Sequence, residues 1–244
     1  MNWSTKKAIA FDLGYTLVTN NRVQLHQQFL RNQGIELEEE IIRRAYHLAD
    51  KKFMRAYPKV ISTGWDYYFP WFVGKVNFLL GHQFNLIEQT NFMKQEIDRL
   101  WQSGQSFWTP FPWTVDTLQK LREQNFRLAL LSNWDASARP ILSFLELDEL
   151  FDVIIISDEF GCEKPDPSIF QELLLQLNCS SEEVVYVGDN YYDDVPGAAE
   201  VGIATLLLNP YGRLGMEELN YTPVVPDIRH LLELLPLHSH AAYE

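Results

Sequence analysis

The chain has 244 residues, of which 46% are hydrophobic and 14% aromatic, and a formal net charge of −13. That length and composition suit a sizeable buried core, which excludes a disordered segment, and the charge repels phosphate backbones and anionic lipid, so neither nucleic acid nor a membrane is expected as a partner. Neither a basic, cleavable leader nor an apolar run of about twenty residues is visible, which predicts a cytoplasmic location, and Cys162 and Cys179, far apart and without a CxxC, read as buried thiols.

The first element lies in KKAIAFDLGYTLV, where AIAFD reads as a strand buried on both faces and ending on Asp12. About a hundred residues separate it from the next such run, too many for one crossover connection. That span has helical signals of its own. Gly34 closes one helical stretch, ELEEE supplies the acidic first turn of another, Ile41, Ala45 and Leu48 recur at helical spacing, and NFMKQEIDRLW is amphipathic. An all-helical cap domain inserted over residues 18–105 is expected, bounded by VTNNR and SGQSFWTPFP.

Beyond the insert, helical and apolar patterns alternate. WTVDTLQKLREQ precedes the strand RLALLSN, ASARPILSFLEL precedes DVIIISD, PSIFQELLLQLN precedes EVVYVGD, and DDVPGAAEVG precedes IATLLLN, with Asp166 and Pro167 opening the third of these helices. The alternation predicts a three-layer α/β, Rossmann-like core with a parallel sheet of five or more strands, built from residues 1–17 and 106–244.

Four elements stand at carboxyl ends of predicted strands, where open parallel sheets place their sites. Asp12 ends the first, Ser132 and Asn133 end the second, Lys164 follows the third in CEKPDP, and Asp189 ends the fourth in YVGDNYYDD. Singly, each reads as a loop cap. In this order they resemble the haloacid dehalogenase superfamily, over residues 5–17 and about 110–210, and the placement of the insert resembles that superfamily's helical cap.

The resemblance implies chemistry. Asp12 is the nucleophile toward phosphorus, Mg²⁺ is held by Asp12, Asp189 and the backbone carbonyl of Gly14, and Asp194, five positions after Asp189, is the second metal acid, with Asp193 beside it as the alternative. Lys164 bridges Asp12 and the transferring group, while Ser132 and backbone amides at Asn133 donate to its oxygens. Thr16 matches the first motif's hydroxyl and is expected to bond the turn after the strand; Asp135 and Asp166 read as helix caps. The implied partner is a small phosphorylated metabolite, on a monomer or homodimer.

Gly14 departs from the phosphatase pattern, in which a second Asp at this position protonates the leaving oxygen and later activates water. Three readings follow: a Mg²⁺-dependent phosphohydrolase weakened by the missing acid, another hydrolysis on the same nucleophile (dehalogenase-type or phosphonatase-type), or a non-catalytic binding protein. A phosphonatase needs a cap lysine; Lys51, Arg55 and Lys59, with Lys52, form the one dense basic stripe there, which otherwise reads as a solvated helix face. Specificity is expected from the cap aromatics in STGWDYYFPWFVGKV, with Trp65, Tyr67 and Tyr68 foremost, against the plainer reading that they pack a small core. No spacing among the histidines suggests a metal pair.

Overall fold

The computed structural model describes residues 2–60 and 65–235. In chain order, β1 (Ala8–Phe11) and β2 (Val18–Asn20) precede four long helices, α1 (Arg22–Asn32), α2 (Glu39–Ala56), α3 (Trp65–Leu79) and α4 (Leu86–Gln102). After β3 (Trp108–Pro110) come α5 (Thr114–Glu123), β4 (Arg127–Ser132), α6 (Ala138–Phe144), β5 (Val153–Ile156), α7 (Ser157–Phe160) and α8 (Pro167–Leu177). The chain continues through β6 (Val184–Gly188), α9 (Tyr191–Glu200), β7 (Ala204–Leu208), β8 (Val224–Val225) and α10 (His230–Leu234). Two compact units result: one takes the described residues up to Thr19, Pro110–Arg213 and those from Asn220, the other Asn20–Thr109 and Leu214–Leu219.

The first unit is an α/β structure around a parallel sheet of six strands in the order β5-β4-β1-β6-β7-β8. All five expected strands are present, with two-residue β8 as a sixth at the edge; β2 and β3 pair in a separate sheet. Ala10 on β1 stands opposite Ala129 on β4 and Tyr186 on β6, so β1 is central. Side chains alternate between faces. Ala8, Ala10, Ala129, Leu131 and Tyr186 pack with Ile169, Phe170, Leu173 and Leu177 of α8, whose apolar residues recur along one helical stripe. Ile9, Phe11, Leu128 and Leu130 face the other way and are equally buried, as are Leu118 and Leu121 of α5. Asp166 begins α8 as expected: its side chain accepts from the Ser168 N–H, and Pro167 takes the first helical position. Cys162 and Cys179 are free thiols, half-buried rather than buried. Because the strands are parallel, β1, β4 and β6 all deliver their carboxyl ends to one edge.

In the second unit each of α1–α4 packs on two neighbours, α4 returning to α1, around a core that includes Leu30, Ile42, Tyr46, Phe69, Phe72, Val73 and Met93. A polar chain runs through it: His26 Nδ1 to the Tyr46 hydroxyl at 3.0 Å, His26 Nε2 to Gln89 Nε2 at 3.2 Å, and Asn77 Nδ2 to Gln89 Oε1 at 2.7 Å. Burial pushes His26 down to about 4, so this imidazole is neutral and structural. The aromatics divide. Tyr68 and Phe72 pack in the core, Tyr67 is exposed, and the Trp65 side chain lies outside the described residues. The solvated-face expectation fails at Lys51, which is 7% exposed. A Cβ on Gly215 would sit 2.9 Å from Lys51 Cβ, because Leu214–Leu219 belongs to this unit and covers that face of α2. Arg55 pairs with Glu218 at 2.9 Å in the same segment, and Lys59 lies beyond the helix end.

Candidate active site

Asp12 follows β1 directly and is 9% exposed. Its Oδ1 accepts from the Ser132 hydroxyl at 3.1 Å and from Lys164 Nζ at 2.8 Å. The ammonium also donates to the Tyr186 hydroxyl at 2.8 Å and to Asp194 Oδ1 at 2.7 Å, so its three N–H groups are all in use. Tyr186 in turn donates to the Leu131 carbonyl at 2.8 Å. Burial alone would lower Lys164, but the carboxylates of Asp12 and Asp194 more than reverse that and hold it well above its ordinary value. The lysine is a fixed cation.

Asn133 positions that cation. Its Nδ2 donates to the Lys164 carbonyl at 2.9 Å and its Oδ1 accepts from the Lys164 N–H at 2.8 Å, so the side-chain amide clamps the lysine's backbone. Asp194 is also committed: Oδ1 is on Lys164, Oδ2 accepts from the Asn190 N–H at 3.0 Å, and no part of it is exposed. It serves here as the lysine's counter-ion. Its carboxylate occupies the space beside Gly188, where a Cβ would fall 2.1 Å from Oδ2. A second close approach fixes α9 against the lysine loop, since a Cβ on Gly197 would sit 2.3 Å from the Pro165 carbonyl oxygen.

The backbone does not require a glycine at residue 14. The Gly14 backbone is not in the left-handed region, and an added Cβ would meet only Trp134 Cζ3, at 3.4 Å. Trp134, from the same SNWD stretch as Ser132, thus borders the space that a side chain at residue 14 would enter. Its indole N–H donates to Ser137 Oγ at 3.0 Å and its main-chain N–H to Ser157 Oγ at 3.0 Å. Thr16 departs from expectation: its hydroxyl is buried with no hydrogen-bond partner, so its methyl and backbone, not a bond to the turn, account for its place. Asp135 accepts from the Ser137 N–H at 2.9 Å, as a helix-start residue.

Asp12 and Asp189 follow the carboxyl ends of adjacent strands. Phe11 pairs with Val187, so Asp12 and Asp189 leave neighbouring strands, whose axes lie about 4.8 Å apart. No group of three His, Cys, Asp or Glu side chains is arranged to hold a metal among the described residues. A cation here would have the carboxylates of Asp12 and Asp189, the Gly14 carbonyl and water to bind it, an all-oxygen set of the kind that suits Mg²⁺, which keeps waters and uses one or two carboxylates. Burial, then the Asp194 charge, push Asp193 up to about 7, and burial with Asp12 also raises Asp194 against the pull of Lys164. The cluster thus carries an excess of negative charge that a divalent cation relieves.

The sequence order of these groups and their convergence at one sheet edge match a known family. The model of the haloacid dehalogenase-like hydrolases matches residues 6–202, and the chain belongs to that family. Haloacid dehalogenase-like hydrolase domain-containing protein 3 of Mus musculus is 32% identical over 166 residues, covering 64% of this chain and 65% of that one. Glyceraldehyde 3-phosphate phosphatase of Methanothermobacter thermautotrophicus is 33% identical over 139 residues, 52% of this chain and 58% of that one. These matches span between about half and two thirds of the relatives' own length. A crystal structure of a HAD phosphatase from Thermococcus onnurineus has the same fold, with a TM-score of 0.59 at 24% identity, covering 93% of this chain and 97% of that one. No helix among the described residues is long and apolar enough to cross a membrane.

Proposed function

We propose that this chain is a Mg²⁺-dependent phosphohydrolase that cleaves a small phosphorylated metabolite through an aspartyl phosphate on Asp12. The observation that carries the reading is the asymmetry of Asp12: Ser132 and Lys164 both donate to Oδ1, and Oδ2 accepts no hydrogen bond from the described residues. An oxygen so left is available to bond phosphorus as the bond from phosphorus to the leaving alkoxide breaks. Mg²⁺ bound by Asp12 and Asp189 supplies positive charge that offsets the repulsion between carboxylate and phosphate. Lys164, its N–H groups taken, acts through its charge and by aiming Asp12. Water then attacks phosphorus, the bond to Asp12 breaks, and free carboxylate and inorganic phosphate result.

Both steps move a proton, and residue 14 has no group to carry it. The leaving alkoxide takes its proton from solvent, which favours good leaving groups such as aryl or acyl phosphates over alkyl phosphates. The archaeal relative's name makes glyceraldehyde 3-phosphate the first metabolite to test. Phosphate release is measured with Mg²⁺ and with chelator, and Asp12→Asn is the blank. Release that Asp12→Asn matches on every ester would sink the reading.

The missing acid at Gly14 admits a second reading, a dehalogenase-type hydrolysis. There Asp12 bonds the carbon that carries the halide, halide leaves without needing a proton, and water cleaves the ester. Chloride release from 2-chloropropionate, insensitive to chelator, identifies it.

A further inference from the structure

At the opposite edge of the sheet from Asp12, where β1 and β4 begin and α8 ends, lies a cavity of ≈ 370 Å³. Lys6, Lys7 and Arg127 line it together with the amides of Gln124, Asn125 and Asn178, and no carboxylate does. In a chain of net charge −13, a cavity whose charged lining residues are all cations stands out. Lys7 and Asp12 stand at opposite ends of β1, roughly 16 Å apart at about 3.3 Å per residue, so this is a separate place from the carboxylate cluster.

Two of the cations, Lys6 and Arg127, form no close ion pair among the described residues. Lys6 is 8% exposed, and its Nζ donates to the carbonyls of Glu182 and Val184, each at 2.8 Å, which leaves one N–H of a buried ammonium unused. Arg127 donates to the Leu177 carbonyl. Lys7, by contrast, is paired with Glu183 at 2.5 Å. A buried ammonium whose hydrogen bonds go only to neutral carbonyls is costly, and burial lowers the Lys6 pKa even against the opposing pull of the Glu182 charge. An anion in the cavity removes that cost. A guanidinium fork, an ammonium and carboxamide donors match the oxygens of a tetrahedral oxyanion, and the cavity falls within the ~300–1,000 Å³ range of small-molecule sites, with room for more than a bare ion.

We propose that this pocket is a second binding site, for a phosphate-class oxyanion: free phosphate or the phosphoryl group of a small phosphomonoester. The argument rests on the pocket alone and holds whichever reaction Asp12 performs.

The test titrates inorganic phosphate into ¹⁵N-labelled protein, with sodium chloride at matched ionic strength as control. Saturable amide shifts are expected at Asn125, Phe126, Arg127 and Cys179, separate from any at Asp12, and they are lost in Arg127→Gln and weakened in Lys7→Gln. The wall also holds a half-buried thiol, Cys179, far from the other cysteine, Cys162. At phosphate ten times its Kd, alkylation of Cys179 slows about tenfold and that of Cys162 is unchanged. Glycerol 3-phosphate titrated in parallel separates the sources: tighter binding than phosphate assigns an organic phosphoester, equal binding assigns phosphate itself. The proposal is overturned if those amides show no saturable shift, if sodium chloride reproduces it, or if both folded variants bind phosphate as the parent does.

Discussion

Returning a carboxylate to residue 14 isolates proton transfer from the rest of the machinery. Positioned acid–base catalysis contributes about 100-fold to 10,000-fold, or roughly 3 to 5 kcal/mol of barrier. The backbone admits the change, since Gly14 is outside the left-handed region and its Cβ would lie 3.4 Å from Trp134 Cζ3, an ordinary contact. The carboxyl one bond further out has to share space with the indole, which its bond to Ser137 holds in place. Gly14→Asp alone is therefore expected to raise Mg²⁺-dependent turnover of an alkyl phosphate only about tenfold, and the pair Gly14→Asp with Trp134→Ala about 100-fold. Losing a part-buried indole costs about 1–2 kcal/mol of stability, so thermal melts accompany the kinetics. Initial rates of phosphate release, on an alkyl and an aryl ester across pH, distinguish the cause. A true acid helps the poor leaving group more and adds a limb to the pH profile. If the double variant folds, binds Mg²⁺ and turns over the alkyl ester no faster, proton transfer does not limit this protein.

Gly188→Ala places a Cβ 2.1 Å from Asp194 Oδ2, so it should displace that carboxylate, lose most activity and cost about 2–3 kcal/mol in urea denaturation. Unchanged stability would mean that Asp194 does not pack there. Tyr186→Phe keeps the ring in the core but deprives Lys164 and the Leu131 carbonyl of the hydroxyl, a loss of about 1–3 kcal/mol seen as a lower denaturation midpoint. Asp193 titrates at about 7 in the fold against 3.8 ordinarily, so between those values the native state holds a proton that the unfolded chain releases, and stability falls as pH rises through that window. Melts in chelator should show that slope, and Asp193→Asn should flatten it. Asp189→Asn should weaken Mg²⁺ binding at least about tenfold by calorimetry; unaltered affinity rules out its place as a ligand.

What was legible in the sequence has a common physical basis. Strands such as VVYVG and RLALLS are apolar on both faces, so they stand out without periodicity, and their parallel pairing puts every strand-end polar residue at one edge. Asp12, Ser132 and Lys164 were found that way and Asp194 through the family resemblance, and the four form one bonded network. Two- and three-residue strands such as β8 and β2 carry no such pattern. Lys51 was misread because helical spacing gives a direction around α2 but not what lies in that direction, and Leu214–Leu219 reaches it from far along the chain. Tyr186 looked like one more core residue of β6. The signal for it was chemical, because a hydroxyl inside an otherwise aliphatic buried run needs a partner. Gly188, at the end of the same strand, carried the other missed signal, that of a close approach.

The network also explains how a chain can lack an acid at residue 14 and keep the rest. Each carboxylate that holds Lys164 is fixed by something other than residue 14: Asp12 by Ser132 and by its main-chain N–H to the Val187 carbonyl at 2.9 Å, Asp194 by the Asn190 N–H at 3.0 Å. Removing a side chain at 14 therefore unpairs no buried charge, the change that ordinarily makes loss of an active-site acid destabilising. The indole of Trp134 occupies the adjoining volume, so no void results. The lack of a side chain at residue 14 thus costs the fold no buried pair, and any deficit should appear in the rates of proton-dependent steps, with the network around Asp12 unaltered.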